Sequence, residues 1–359
     1  MFFEKNARGL ADFSRMSQAA GARPDYVQGG GGNTSVKLAD GLMAIKASGY
    51  CLSDIQPDKA YAVLDYEALR KFYNDNEPAD LEDVEKQGSA CTKANVKVID
   101  GLEVLRPSVE AGFHSILKTF VLHTHSVYAN LAACSESCRE IAGAAFAGAS
   151  YSWGWVPYTD PGANLTFAIR DELRRVKAQT GKEPAVILMQ NHGIIVHDDS
   201  ADACLAIHAD ANERLARIFA IDGTAFPKAT VQELAAGFYC DDAPYLAEQL
   251  RKGRLTQQGL LEEPLYPDQM VFLADTFFMD QEEIGDGQCV ASSKTGRVLL
   301  KMPEKKARTL VETLTAVAFI WETVEKNGYR VAAMGEAAKT FIANWESEKY
   351  RKALAANKK

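Results

Sequence analysis

Six histidines occur in the chain, at positions 114, 123, 125, 192, 197 and 208, and three of them have the spacing of a metal site. His123 and His125 stand two apart at the end of the apolar run TFVLHTH. On a strand that spacing puts both side chains on one face, with Cα atoms about 6–7 Å apart. Two imidazoles so placed can converge on one ion, and neutral imidazole is a preferred ligand of zinc. An isolated His-x-His pair reads equally as two half-exposed histidines with no shared role. His192 tips the balance. It follows the buried run AVILMQ, within NHG, so it also leaves a strand end. Gly193 allows a sharp backbone turn there. Three imidazoles from two strand ends match the ligand count of a catalytic zinc site, whose fourth position is left for carboxylate, water or substrate.

Glu110 lies in RPSVEAGFH, where Pro107 and Ser108 announce a helix start and Ser108 can cap it. A carboxylate in a first turn is often only a partner for the helix dipole. Beside a metal-polarised carbonyl it can instead remove a proton from the adjacent carbon. His114, four residues on, reads as a partner that orients Glu110 or as a packing residue, with packing favoured. His197 precedes Asp198 and Asp199 and is expected to face solvent, while His208 lies inside an amphipathic helix. Both are read as structural. Upstream, GGGGNTSVK (residues 29–37) offers unshielded backbone N–H groups together with Asn33, Thr34 and Ser35, a combination suited to oxyanions. It lacks the GK[ST] of a P-loop and the strand-first G-x-G-x-x-G of a dinucleotide fold. Ser48–Gly49 forms a second small-residue turn, and Lys46 adds a positive charge.

The elements that must position these residues are legible in outline. Residues 7–20 read as a helix, 35–37 and 42–46 as a hairpin turning at Ala39–Gly41, and 66–74 as a helix. Residues 75–104 are polar and read as an irregular surface insertion. From Ser108 the pattern alternates: helix (108–117), buried strand (119–125), helix (126–134), helix (161–178, with Pro161 at its start), buried strand (185–190), strand (193–199). A long amphipathic helix follows over 200–219, with Ser200 as its cap. After residue 222 come Gly223, Pro227, a mixed helical stretch, prolines at 264 and 267, strand-like runs at 270–273 and 297–301, and a helix over 307–326. The expected organisation is a catalytic domain at 1–222 and an α/β extension at 223–359, with the chemistry confined to residues 28–222.

The 359 residues are 47 % apolar and 25 % charged, as in an ordinary globular protein. A net charge of −8 argues against non-specific binding to nucleic acid or an anionic membrane. MFFEKNARGL lacks a signal-peptide core, and no run approaches the roughly 18 apolar residues of a membrane span. Seven scattered cysteines suit a reducing compartment, so a cytoplasmic location is expected. Cys134 and Cys138, four apart, have no second pair to complete a metal site and read as structural.

Taken in order, GGGGNTSVK, IKASG, RPSVEAGFH, VLHTHS, WVPYTDPGANL and NHGIIVHDD resemble the class II aldolase/adducin family, over roughly residues 28–222. That family includes fuculose-phosphate and rhamnulose-phosphate aldolases. The resemblance implies a three-layer α/β/α fold with a central, mainly antiparallel sheet, assembled as a homotetramer. It implies a zinc-dependent lyase that cleaves a ketose, commonly a ketose 1-phosphate, reversibly through an enediolate. His123, His125 and His192 match the zinc ligands. Glu110 matches the carboxylate that moves the proton and can fill the ion's fourth position. Gly32, Asn33, Ser48, Gly49 and Ser108 match the substrate phosphate cradle, with Lys46 as added charge. Tyr158, in PYTDPG, matches a tyrosine that serves a neighbouring subunit and protonates the aldehyde oxygen. The sequence departs from the aldolase pattern at Val109, where a second serine is common, and at Gly30, where a threonine is. Related zinc-dependent sugar-phosphate epimerases commonly carry Asp at the position of Glu110, and metal-free adducin-like interaction modules lack the three histidines.

Overall fold

The structure, a computed structural model, describes residues 1–222, 225–241 and 243–344. His123, and at the adjoining strand ends His125 and His192, belong to an eight-stranded sheet built from β1 (Asn33–Lys37), β2 (Leu42–Lys46), β3 (Tyr61–Asp65), β4 (Val96–Lys97), β5 (Phe120–Thr124), β6 (Trp153–Val156), β7 (Val186–Met189) and β8 (Gly193–Asp198). Its order is β4-β3-β2-β1-β5-β8-β7-β6. All pairings are antiparallel except β6–β7. The helices of this part are α1 (Phe2–Gly21), α2 (Tyr66–Asp75), α3 (Val84–Ala94), α4 (Ala111–Ile116), α5 (Val127–Ala133), α6 (Cys138–Ala145), α7 (Ala163–Thr180) and α8 (Ala201–Ile218).

Period-two alternation divides the helices between the two faces of the sheet. Along β5, Phe120 and Leu122 join Leu10, Phe13 and Met16 of α1 and Cys204 of α8. Val121 points the other way, among Phe113 of α4, Ile169 of α7 and Ile187 of β7. His123 shares the face of Val121, its ring 5.8 Å from Phe113. This is the expected α/β fold with a central, mainly antiparallel sheet between helical layers.

The remainder comprises β9 (Val231–Ala235), β10 (Phe238–Asp241), α9 (Pro244–Arg251), α10 (Gln257–Leu261), α11 (Pro267–Leu273), β11 (Phe277–Met279), β12 (Cys289–Ala291), β13 (Val298–Lys301), α12 (Glu304–Lys326) and α13 (Glu336–Asn344). The strands form a second sheet, ordered β11-β12-β13-β10-β9. Gly223, the expected boundary, lies outside the described residues. The apolar core is continuous across that point: Leu131 of α5, Leu215 of α8, Leu265, and Leu310 and Ile320 of α12 belong to one cluster. Among the described residues no helix is long and apolar enough to cross a membrane.

Two expectations are corrected. Residues 75–104 are not irregular throughout, because α3 occupies 84–94, capped by Asp83, whose side chain accepts from the Lys86 N–H at 3.0 Å. Its Glu85 accepts from the Ala163 and Asn164 N–H groups at the start of α7. Residues 270–273 are helical, the end of α11, not a strand. Pro267 occupies the first turn of that helix, and a four-residue apolar run does not by itself distinguish strand from helix.

Candidate metal centre

β5 and β8 run side by side with Thr124 opposite Ile194, so the chain leaves the sheet at residue 125 on one strand and enters it from residue 192 on the other. That geometry gathers His123, His125 and His192. One ring nitrogen from each lies within 4.8 Å of those of the other two, and all three side chains are buried. The ring centroids stand 4.9, 5.0 and 5.1 Å apart. Gly193 makes the approach of the strands feasible, since a Cβ on it would fall 2.3 Å from the Thr124 carbonyl oxygen.

The protons on two rings are assigned by their outer partners. His123 Nδ1–H donates to the Ile194 carbonyl at 3.0 Å, and His125 Nδ1–H donates to Asp268 Oδ2 at 2.5 Å. With Nδ1 donating outward, each ring in its neutral form presents its Nε2 lone pair inward. The two Nε2 atoms face each other at 3.1 Å. Two neutral rings so placed set lone pair against lone pair, a conflict that a shared cation removes. Burial, followed by neighbouring histidine charge, holds His123 well below its ordinary pKa, which favours the neutral ligand form. Burial likewise pushes His192 down to about 3, against a smaller opposing effect from Glu110. Two buried polar atoms here, His192 Nδ1 and Glu110 Oε1, have no hydrogen-bond partner among the described residues. An orphaned acceptor beside three converging imidazoles fits a divalent cation.

Glu110, not Ser108, stands at the N-cap position of α4 without a side-chain capping bond, and its carboxylate faces the triad. Oε1 lies 3.3 Å from His192 Nε2 and Oε2 3.6 Å from His123 Nε2. Asn33 Nδ2 donates to Glu110 Oε2 at 2.6 Å and to Ser108 Oγ at 3.0 Å. Since Asn33 donates there, its Oδ1 accepts from His114 Nε2–H, and His114 Nδ1 in turn accepts from the Ser35 hydroxyl at 2.7 Å. His114 therefore orients Glu110 through Asn33, and the expectation of simple packing is corrected. The open cleft beside this cluster is lined by Gly30, Gly31, Gly32, Asn33, Lys46, Ser48, Ser108 and Val109, with Glu110, His125, His192 and Asp268 at its base and side. Lys46 Nζ donates to the Gly30 and Tyr50 carbonyls at 2.9 and 2.7 Å, which pins the glycine loop.

A family model for the class II aldolase and adducin N-terminal domain matches residues 13–220, more than half of the chain. The chain belongs to the class II aldolase and adducin family. Solved structures similar to it include the N-terminal class II aldolase domain of a conserved protein from Thermoplasma acidophilum (20 % identity, 57 % of this chain and 91 % of that one, TM-score 0.47). An L-fuculose 1-phosphate aldolase from Glaciozyma antarctica is another (13 %, 63 % and 78 %, 0.38), as is a sugar-phosphate aldolase from Thermotoga maritima (13 %, 60 % and 96 %, 0.40). A search of curated proteins gives no match.

Not every residue expected from the sequence reaches the cleft. Gly32, Asn33, Lys46, Ser48 and Ser108 do, whereas Gly49, with φ at +87°, turns the chain just outside it. Tyr158 is also absent from the cleft lining and is half-buried against the cluster of Met334, Ala338 and Ile342. Burial and the nearby Asp160 carboxylate push its phenol well above the ordinary range. His197 is fully buried on β8 and does not face solvent, because β8 is an interior strand; its Nδ1 accepts from the Lys118 N–H at 3.4 Å. His208 is buried on α8 within 2.7 Å of the Thr124 hydroxyl, as a structural residue should be. The residue that sequence reasoning missed is Asp268, which comes from outside residues 28–222. Its only local signal is a place in the first turn of α11, where an acidic residue ordinarily serves the helix dipole.

Proposed function

We propose that this chain is a divalent-metal-dependent carbon–carbon lyase of the class II aldolase type, reversibly cleaving a ketose or ketose 1-phosphate at the bond between the carbons alpha and beta to its carbonyl. The observation that carries the reading is Glu110, held by Asn33 on one oxygen and unpartnered on the other, 3.3 and 3.6 Å from two imidazoles of a three-histidine cluster. Three neutral imidazoles with an adjacent carboxylate suit zinc, with other divalent transition metals as weaker fits. His123, His125 and His192 would hold the ion. Such an ion supplies Lewis-acid stabilisation of negative charge on the substrate's carbonyl oxygen.

The chain's own residues then have defined tasks. Glu110 Oε1, free of other partners, takes or returns the proton at the carbon next to the carbonyl. Asn33, fixed by His114 and Ser108, keeps Oε2 from rotating into that role. Gly32, Ser48 and Ser108 line the side of the cleft where the distal end of the substrate would lie, with Gly49 shaping the adjoining turn. Tyr158 does not line its own chain's cleft, so its proposed proton transfer to the aldehyde oxygen requires the homotetramer that this reading includes. Seven free cysteines support a reducing, cytoplasmic setting.

Glu110→Gln keeps the side chain's size and removes its ability to carry the proton. With a panel of ketose 1-phosphates and ketoses, release of the triose fragment should fall by about 10²- to 10⁴-fold, while bound metal is retained. Wild-type turnover by that variant defeats the assignment. Substrate epimerised without fragment release identifies an epimerase instead.

A further inference from the structure

We infer that the C-terminal part of the chain completes the metal centre, with Asp268 as the positioning residue for His125. This rests on the metal-dependent reading above. Asp268 lies beyond residues 13–220, the span matched by the family model. It is nonetheless buried, lines the cleft, and accepts from His125 Nδ1–H at 2.5 Å. A carboxylate on the outer nitrogen of an imidazole fixes its tautomer, aims its inner lone pair and makes that nitrogen a stronger donor to an ion.

The packing around Asp268 is built for this contact. Gly31 supplies the space: a Cβ there would fall 2.2 Å from Asp268 Oδ2 and 3.0 Å from His125 Nδ1. The segment carrying Asp268 is tied to both loops of the centre. Asn191, next to His192, donates from Nδ2 to the carbonyls of Leu265 and Ala332 at 2.8 and 2.6 Å. Tyr266 donates its hydroxyl to Gln28 Oε1 at 3.3 Å, just before the glycine loop, and the Gly29 N–H donates to Glu312 Oε2 of α12 at 3.2 Å. The His192 turn, the glycine loop and the Asp268 carboxylate at His125 are thereby set by one C-terminal unit.

The test uses the full chain, stripped of metal and titrated with Zn²⁺ against a chromophoric chelator, and separately with Co²⁺ to record its d–d absorption. Asp268→Ala should weaken Zn²⁺ binding by about 10- to 100-fold and alter the Co²⁺ spectrum. Asp268→Asn, which keeps an acceptor but no charge, should fall between that variant and the wild type. Gly31→Ala, which displaces the carboxylate without removing it, should weaken binding in the same direction, so a folding failure of Asp268→Ala does not end the test. Wild-type affinity and spectrum in Asp268→Asn and Gly31→Ala overturn the inference, as does a lowered melting temperature of the metal-free variants with no change in either readout. A wild-type chain that binds neither ion overturns this inference and the proposed function together. Metal bound equally by wild type and variants overturns this inference alone.

Discussion

His208 and His197 stay neutral because their surroundings cannot solvate a charge, and that places a specific pH dependence in the molecule apart from the metal ligands. Burial is the dominant cause for both, pushing His208 down to about 3 and His197 to about 4 from an ordinary value near 6.5. In the unfolded chain each takes up a proton as pH falls through 6.5, while the folded chain does not until much lower pH. The unfolded state then binds more protons, so stability is complete above pH 6.5 and is lost progressively as pH falls toward 4 for His197 and 3 for His208. At pH 5 each residue costs about 2 kcal/mol relative to pH 7. Urea unfolding of the metal-free chain checks this: a His208→Gln variant should lose about 2 kcal/mol less than the wild type between pH 7 and pH 5. Equal losses in the two proteins would contradict the assignment.

At the scale of elements, the junction of β5 and β8 decides where the ligands stand. Asn191 adopts φ of +50° and His192 follows it, so the loop reverses in two residues before Gly193 starts β8. Gly193→Ala would drive a methyl group to 2.3 Å from the Thr124 carbonyl and 3.3 Å from His125 Cα. The strands must separate there, so the variant should lose about 1–3 kcal/mol of stability and bind metal more weakly, read by thermal unfolding with and without Zn²⁺. Unchanged metal affinity at reduced stability would mean that the strand junction does not set the ligands. This junction was legible in the sequence because its signals are local: apolar runs end in His-x-His and in Asn-His-Gly, and Ser200, whose side chain accepts from the Ala203 N–H, caps the next helix as its type predicts. Helix α3 was not, since most of its surface faces water and its register is set by Glu85 reaching across to α7. Strands β3, β4, β6, β9, β10, β11 and β12 escaped for a similar reason: short segments gain their partners only in the folded sheet. Asp268 was beyond reach because a carboxylate 143 positions away in the chain leaves no spacing pattern with His125.

The whole molecule answers how far that C-terminal contribution extends. α12 packs against α5 of the eight-stranded part, and Leu131, Leu215 and Phe219 share one apolar cluster with Leu310, Leu314, Val317 and Ile320. Each large apolar side chain taken from full burial to water costs about 1.5–3 kcal/mol. A few such losses equal the whole stability of a typical domain, about 5–15 kcal/mol. The division at residue 222 therefore separates two stretches of sequence that share a common apolar core. A chain ending at residue 222 should show no cooperative thermal transition and should expose apolar surface to a hydrophobic dye. The full chain should unfold in a single transition, seen alike by far-ultraviolet circular dichroism and by tryptophan fluorescence. Trp155 reports from the core of the first part and Trp321 from α12 of the second, where it packs against the same cluster. Leaving each as the sole tryptophan in turn makes the comparison direct. Two separated transitions, or a 1–222 fragment that melts sharply, would show that the shared core is not what holds the C-terminal unit against the metal centre.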